Sequence, residues 1–254
     1  MSKIKDLYDN YYGKGYRDEL IAYEFARWVA IDHFIHYILK LRNVSKILDY
    51  GSGSGLHVPL WKKLFPNANL HFCDISEIAI ERLRDKYHEF KQTSGIVEND
   101  KAPFNDEVFN VIISIEVLEH VENLDAYLHD IYRLLKHKGV FIWTTPCANK
   151  FSIEHVYSLF SNRIEKTKDG YKRWKWEDPT HFRRLKSNEI KKKLLGLGFK
   201  KIGFKFRAHL FSFICVNFFQ SFLRKIGERI MLLDYILFRN FANGASMIGC
   251  AYKY

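Results

Sequence analysis

Three glycines at alternate positions, Gly51, Gly53 and Gly55, follow Asp49 in the run ILDYGSGSG, and a second acid, Asp74, closes NLHFCD 19 residues after Gly55. Glycines in that pattern let the main chain turn sharply and let a ligand lie against the backbone. The helix that follows can present its N-terminal N–H groups to polar or anionic atoms. A carboxylate ending the next strand can accept both hydroxyl hydrogens of a ribose. A bare strand-to-helix turn would use the same glycines, so it is the second acid that favours a nucleoside-type ligand. The order Gly51, Gly53, Gly55 is not G-x-G-x-x-G, which argues against a nicotinamide dehydrogenase.

The elements that must hold these residues can be read on both sides of them. IAYEFARWVAIDHFIHYILKLR (residues 21–42) has helical apolar spacing. KILDY and NLHFCD are strand runs, each followed by a helix, and Ser76 is placed to cap the second helix. VFNVIISI has the apolar character of a strand buried on both faces. NLDAYLHDIYRLLK then forms a helix ended by Gly139 as a C-cap, and VFIWTTP a further strand. SNEIKKKLLGLGF is a helix capped by Ser187, KKIGFKFR a strand, residues 210–240 two apolar helices and ASMIGCAYKY a last strand. Alternating strands and helices with short connections imply an α/β, doubly wound, mostly parallel sheet.

With 254 residues, 47% hydrophobic and 27% charged, the chain has the balance of a globular protein able to bury a full core. The four cysteines are far apart and show neither disulfide nor zinc spacing, so a reducing, cytoplasmic setting is expected. No apolar leader opens the sequence. The longest uncharged apolar run, Leu210 to Leu223, has 14 residues, short of the roughly 20 of a membrane span. The net charge of +11 is concentrated between Asn162 and Arg207, where 16 Lys and Arg face 5 Asp and Glu. Such a segment suits a solvated face, a site for an anionic substrate or phospholipid surface, or RNA.

From about Lys46 to Pro146, and more loosely to Ile202, the chain resembles the class I S-adenosylmethionine-dependent methyltransferases. Five stretches match in order: ILDYGSGSG, LHFCDIS, VENDKAPF, FNVIISIEVLEHVEN and RLLKHKGVFIWTTP. The resemblance implies a seven-stranded Rossmann-like methyltransferase fold with S-adenosylmethionine as cofactor. It also implies an N-terminal helical lid over residues 1–42 and a main domain over 43–254. That domain would carry a substrate cap inserted at about 147–186 and apolar helices at about 210–240. Asp49, Gly51, Ser52, Gly53 and Gly55 would wrap the methionine end, Asp74 and Ile75 would hold the ribose, and Glu98 and Asn99 would read the adenine. Ser114 and Glu116 would face the cofactor from the end of the fourth strand, and Tyr11 and Tyr12 resemble an aromatic leader closing over the site, Tyr12 toward cofactor and Tyr11 toward substrate. Asn110, His137 with Lys138, and Glu98 depart from the usual Asp, Pro-Gly and Asp of the family.

Methyl transfer from a sulfonium is an in-line displacement, for which the protein supplies positioning and a route for the acceptor's proton. For a hydroxyl acceptor His181 in DPTHFRR is the first candidate base, His120 in EVLEHV the second and His155 the third. Arg183, with Arg184 beside it, and Trp176 are candidate substrate contacts. Each also has an ordinary structural role open to it, as a loop, helix or surface residue. Glu116 and His120, at i and i+4, are two ligands and do not make a metal site, so no metal is expected. The expected acceptor is a small molecule or a lipid-linked one, a sugar of a glycan precursor or a quinone-like phenol. RNA methylation and a non-catalytic binding scaffold are the alternatives, and nucleic acid is the less favoured partner. The apolar C-terminal helices would pack on the sheet, seat the protein peripherally on the inner face of a membrane, or form a homodimer face.

Overall fold

The computed structural model describes residues 3–15, 22–149, 151–162, 164–166, 172–174, 180–218 and 224–254. Its main sheet contains β1 (Lys46–Tyr50), β2 (Asn69–Asp74), β3 (Ser94–Ile96), β4 (Phe109–Ile115), β5 (Leu135–Pro146), β8 (Phe199–Arg207) and β9 (Ser246–Lys253). The strand order is β3-β2-β1-β4-β5-β9-β8. All pairings from β3 to β5 are parallel, and β9 runs antiparallel to both neighbours. This is the Rossmann-like methyltransferase fold that the sequence implied. The short edge strand β3 has no apolar run to announce it. A separate two-stranded ribbon, β6 (Ile164–Lys166) with β7 (Lys172–Trp174), lies between β5 and β8 in the chain.

Alternation along the central strands builds two cores. Ile112 of β4 and Phe141 and Trp143 of β5 pack with α5 (Leu124–Leu134) and α7 (Ser187–Gly196) on one face. Val111, Ile113, Val140 and Ile142 pack on the other with α2 (Ala22–His33), α3 (Val58–Leu64) and α9 (Arg224–Phe238). Both faces are therefore covered, which is why these strands are apolar throughout. The last apolar helix, α8 (Leu210–Phe218), packs beside α9, where Cys215 joins Ala26 and Met231 in a small third cluster.

Several expected boundaries move. The helix over 21–42 is α-helical to His33 and continues as a π-helical stretch, Phe34–Leu39. The helix before β5 ends at Leu134, and Gly139 is a strand residue, not a C-cap. A Cβ there would lie 2.8 Å from the Lys136 carbonyl oxygen and 3.1 Å from that of Phe109, so the glycine serves close backbone approach within β5. Ser187 is the first helical residue of α7, with Lys186 at the cap position. Ser76 does cap α4 (Glu77–Lys86), accepting from the Ala79 N–H at 3.1 Å.

The two helices of residues 1–42 take different places. α2 belongs to the sheet's flank through Ala30 and Ile31. α1 (Lys3–Gly13) sits on α4 instead. Its Asp9 accepts from the Ser76 hydroxyl at 2.6 Å, and Arg82 of α4 donates to the Tyr12 carbonyl at 2.5 Å.

Candidate functional site

The strand order reverses between β1 and β4, the position where open α/β sheets leave a crevice beyond their carboxyl ends. A cavity of about 520 Å³ lies there. Its floor includes Gly51, Asp74 and Glu116, and its roof Ile4, Tyr8 and Tyr12 of α1. The three roof residues are four apart, so one face of α1 covers the cavity.

The glycine turn has the conformation its composition foretold. Gly51, Gly53 and Gly55 all have positive φ, at 83°, 53° and 85°. A Cβ on Gly51 would stand 2.4 Å from Val117, and one on Gly53 2.3 Å from the Tyr12 hydroxyl. Asp74 fixes this turn from β2: its Oδ2 accepts the Gly53 N–H at 2.8 Å and its Oδ1 the Ser76 N–H at 2.9 Å. Burial raises the Asp74 carboxyl's pKa, against the N–H groups of Ser76, Gly53 and Ile75. Asp49 is also buried and does not reach the cavity. Its Oδ2 accepts the Trp61 indole N–H at 2.7 Å, and burial pushes its pKa up to about 7 despite that bond, with the charge of Asp74 adding.

The adenine-side candidates line the cavity from a tight turn. Glu98 and Lys101 exchange backbone hydrogen bonds, and Asn99 and Asp100 between them have φ of 50° and 59°. Both central residues at positive φ make a type I′ turn, which Asn and Asp tolerate. Glu98, Asn99 and Ile75 border the cavity. Ser52, Gly53, Gly55 and Ser114 are not among the residues that line it. The fully buried Ser114 donates to the Tyr50 carbonyl at 3.0 Å and accepts from the Tyr127 hydroxyl at 2.6 Å, and both tyrosines border the cavity.

Glu116 has φ of 54°, a conformation uncommon outside glycine. Its Oε1 accepts from the Thr144 hydroxyl at 2.8 Å, and its Oε2 pairs with Arg27 at 3.1 Å, both side chains being under a tenth exposed. Arg27, on α2, has no signal in the sequence, because its partner is 89 positions away.

The two preferred histidines meet although 61 positions separate them. The His120 and His181 rings stand 4.5 Å apart, and His120 borders the cavity. Thr180 Oγ1 lies 2.8 Å from His120 Nδ1, and the Tyr8 hydroxyl 3.3 Å from Thr180 Oγ1. Glu119, which the sequence reading passed over, completes the group. Its Oε2 accepts from Thr145 at 3.0 Å and its Oε1 is 3.9 Å from His120 Nε2. The side chain is fully buried, and burial, with the charge of Glu116, raises its pKa against His181 and Thr145. The i, i+1 pairing with His120 was the available signal.

Other candidates stand elsewhere. Arg183 donates to the carbonyls of Val121 and, at 2.9 Å, Glu122, clasping the turn after β4 outside the cavity lining. Arg184 pairs with Glu154 at 3.3 Å. Tyr11 touches Tyr8 edge-on with ring centroids 6.1 Å apart but is not on the cavity face of α1; Tyr8 holds that place. His155 is on α6 (Ile153–Phe160), away from the cavity lining. Trp176 lies outside the described residues.

A methyltransferase-domain family model matches residues 22–203. An uncharacterized protein of Methanocaldococcus jannaschii is 29% identical over 163 residues, 63% of this chain and 68% of that protein. Malonyl-[acyl-carrier protein] O-methyltransferase 2 of Ilyobacter polytropus is 26% identical over 109 residues. That match covers 43% of this chain and only 42% of the relative. Among solved structures, Haemonchus contortus phosphoethanolamine N-methyltransferase 2, in complex with phosphomonomethylethanolamine and S-adenosylhomocysteine, superposes with a TM-score of 0.60 at 14% identity. It covers all of this chain and 60% of that one. The chain belongs to the methyltransferase-domain family and is an S-adenosylmethionine-dependent methyltransferase. The cavity fits that cofactor: its glycine cradle has no room for a Cβ at Gly51 or Gly53, and a buried carboxylate borders it.

Proposed function

We propose that this enzyme methylates an oxygen of a small or lipid-linked acceptor bearing a hydroxyl or phenol. Gly51, Asp74, Ile75, Glu98, Asn99, Glu116 and Tyr12 would hold the cofactor, with Asp49, Ser52, Gly53, Gly55 and Ser114 supporting them from outside the lining. Bound S-adenosylmethionine supplies an electrophilic methyl group on sulfur. The observation that carries the reading is the His120–His181 pair at the cavity edge, with Thr180 on His120 Nδ1. An alcohol attacking carbon must lose a proton, and an imidazole is the side chain best matched to take it near neutral pH. An amine acceptor would need such a base less, so the pair favours oxygen.

Tyr8 takes the acceptor-side place expected for Tyr11, Arg183 would act only through the turn it clasps, and Trp176 remains a proposed acceptor contact. The lipid-linked option draws on the exposed side chains of Phe151 and Phe160, at 83% and 85%, beside the basic segment. No described helix is long and apolar enough to cross a membrane. Contact would therefore be peripheral, from the cytoplasmic side, where four free thiols are stable. A homodimer through the same apolar face is the competing use of that surface.

The test is transfer of labelled methyl from S-adenosylmethionine to panels of nucleotide sugars, lipid-linked glycans and phenols, with RNA as a parallel panel. Mass spectrometry locating the new methyl on oxygen supports the reading. Label entering RNA bases, with no labelled hydroxyl acceptor, replaces it with the RNA alternative.

A further inference from the structure

Glu119, His120 and His181 each offer a ligand atom, and these atoms all lie within 4.8 Å of one another. The sequence reading found only two ligands here and expected no metal. Three features now separate this group from a chance cluster. First, Glu119 is fully buried, yet its Oε1 has no hydrogen-bond partner among the described residues and faces His120 Nε2 at 3.9 Å. An unsatisfied carboxylate oxygen in a buried site is costly unless something positive meets it. Second, the outer contacts are those of oriented metal ligands. Thr145 holds the other carboxylate oxygen, and Thr180 lies at Nδ1 of His120, which turns Nε2 toward Glu119. Third, the group stands at the cavity, not in the core, because His120 borders the proposed acceptor space.

We infer that Glu119 Oε1, His120 Nε2 and His181 bind one divalent first-row transition cation, with its remaining positions open to the cavity. Two imidazoles and one carboxylate suit zinc, manganese, iron or cobalt and disfavour magnesium and calcium, which prefer all-oxygen shells. Bonds of about 2.1 Å at tetrahedral angles place ligand atoms about 3.4 Å apart, so the group tightens by about 1.4 Å at most on binding. His181 lies outside regular secondary structure, held beside Glu119 by the Phe182 N–H, which donates to the Glu119 carbonyl at 2.9 Å. Three protein ligands leave room for an acceptor oxygen, as in catalytic zinc sites, and a hydroxyl on the cation ionises more readily. The inference rests on the O-methylation reading for the acceptor's place and replaces its imidazole base: with Nε2 on the ion and Nδ1 at Thr180, His120 would promote loss of the acceptor's proton through the cation, not by taking it.

The test is titration of tag-free, metal-stripped full-length protein with Co²⁺, followed by visible absorption, and with Zn²⁺ by calorimetry. One equivalent should bind, with a cobalt spectrum that Zn²⁺ displaces. His181→Ala and Glu119→Gln should each weaken binding at least tenfold at unchanged circular dichroism. His181→Ala decides the matter if the buried Glu119 variant fails to fold. Folded wild-type protein that binds neither ion, or His181→Ala with undiminished affinity, overturns the inference. S-adenosylhomocysteine binding is measured on the same preparation, so loss of the metal proposal and loss of the methyltransfer reading give different results.

Discussion

The carboxylate of Asp74 accepts the backbone N–H of Gly53 at 2.8 Å, tying the end of β2 to the centre of the glycine turn after β1. The two halves of the proposed cofactor cradle are thus one hydrogen-bonded unit. Removing the carboxylate leaves two N–H groups, of Gly53 and Ser76, without their acceptor and takes away the group proposed to hold the ribose. Asp74→Ala should weaken S-adenosylhomocysteine binding by roughly tenfold to a hundredfold, the equivalent of about 1–3 kcal/mol. Asp74→Asn, which keeps one acceptor oxygen, should lose less. Calorimetric affinities equal to wild type in both variants would contradict the assignment.

A pH dependence follows from Asp49. Its folded-state pKa is raised from 3.8 to about 7 by burial, so the folded chain holds this proton more tightly than the unfolded chain does. The stabilisation from this group is complete below the unfolded value and is lost as pH rises through the folded value. Between pH 4 and 7 the wild type should therefore lose about 3 kcal/mol relative to Asp49→Asn, the slope of 1.36 kcal/mol per unit being partial near each end. Urea unfolding of both proteins across that range measures the difference. Parallel stability curves would mean that Asp49 is ionised throughout.

The buried Arg27–Glu116 pair makes a prediction of the opposite kind, a defect from removing charge. Arg27→Met takes the cation from a carboxylate that is 9% exposed. Breaking a buried pair from one side costs about 3–5 kcal/mol, or roughly 10 °C in Tm for a chain of this size. Adding Glu116→Gln should recover part of the loss, because no uncompensated charge then stays buried. A double variant no more stable than Arg27→Met alone, by calorimetric Tm, would show that the pair's charges do not couple.

The residues legible in the sequence were those whose conformation is set locally. Gly51, Gly53 and Gly55 need positive φ, Ser76 caps the helix that starts one residue later, and Asp74 ends an apolar strand. The central strands were legible because both faces are covered, which leaves a continuous apolar run. What escaped depends on tertiary pairing. Arg27 reaches Glu116 from another helix, Glu119 turns into the sheet's end to meet Thr145, and β3 is three residues at an edge. Gly139 was misread because a glycine after a helical run looks like a cap, whereas here it admits the Lys136 carbonyl. Tyr8 was within reach, since Ile4, Tyr8 and Tyr12 share the spacing of one helix face.

Tyr12 and Gly53 offer a sharper test of the roof's contact with the floor. A Cβ on Gly53 would lie 2.3 Å from the Tyr12 hydroxyl and 3.1 Å from the ring carbon that bears it. The φ of 53° there adds the left-handed cost of about 1–2 kcal/mol for any other residue. Gly53→Ala should therefore lower both stability and cofactor affinity, by pushing α1 off the glycine turn as well as by backbone strain. Only the first part depends on the hydroxyl. Tyr12→Phe removes that oxygen, so in the Gly53→Ala background it should restore part of the lost affinity for S-adenosylhomocysteine, while in the wild-type background it should bring no gain. A double-mutant cycle read by calorimetry gives the coupling directly. Additive effects would mean that α1 does not rest on the glycine turn when the cofactor is bound.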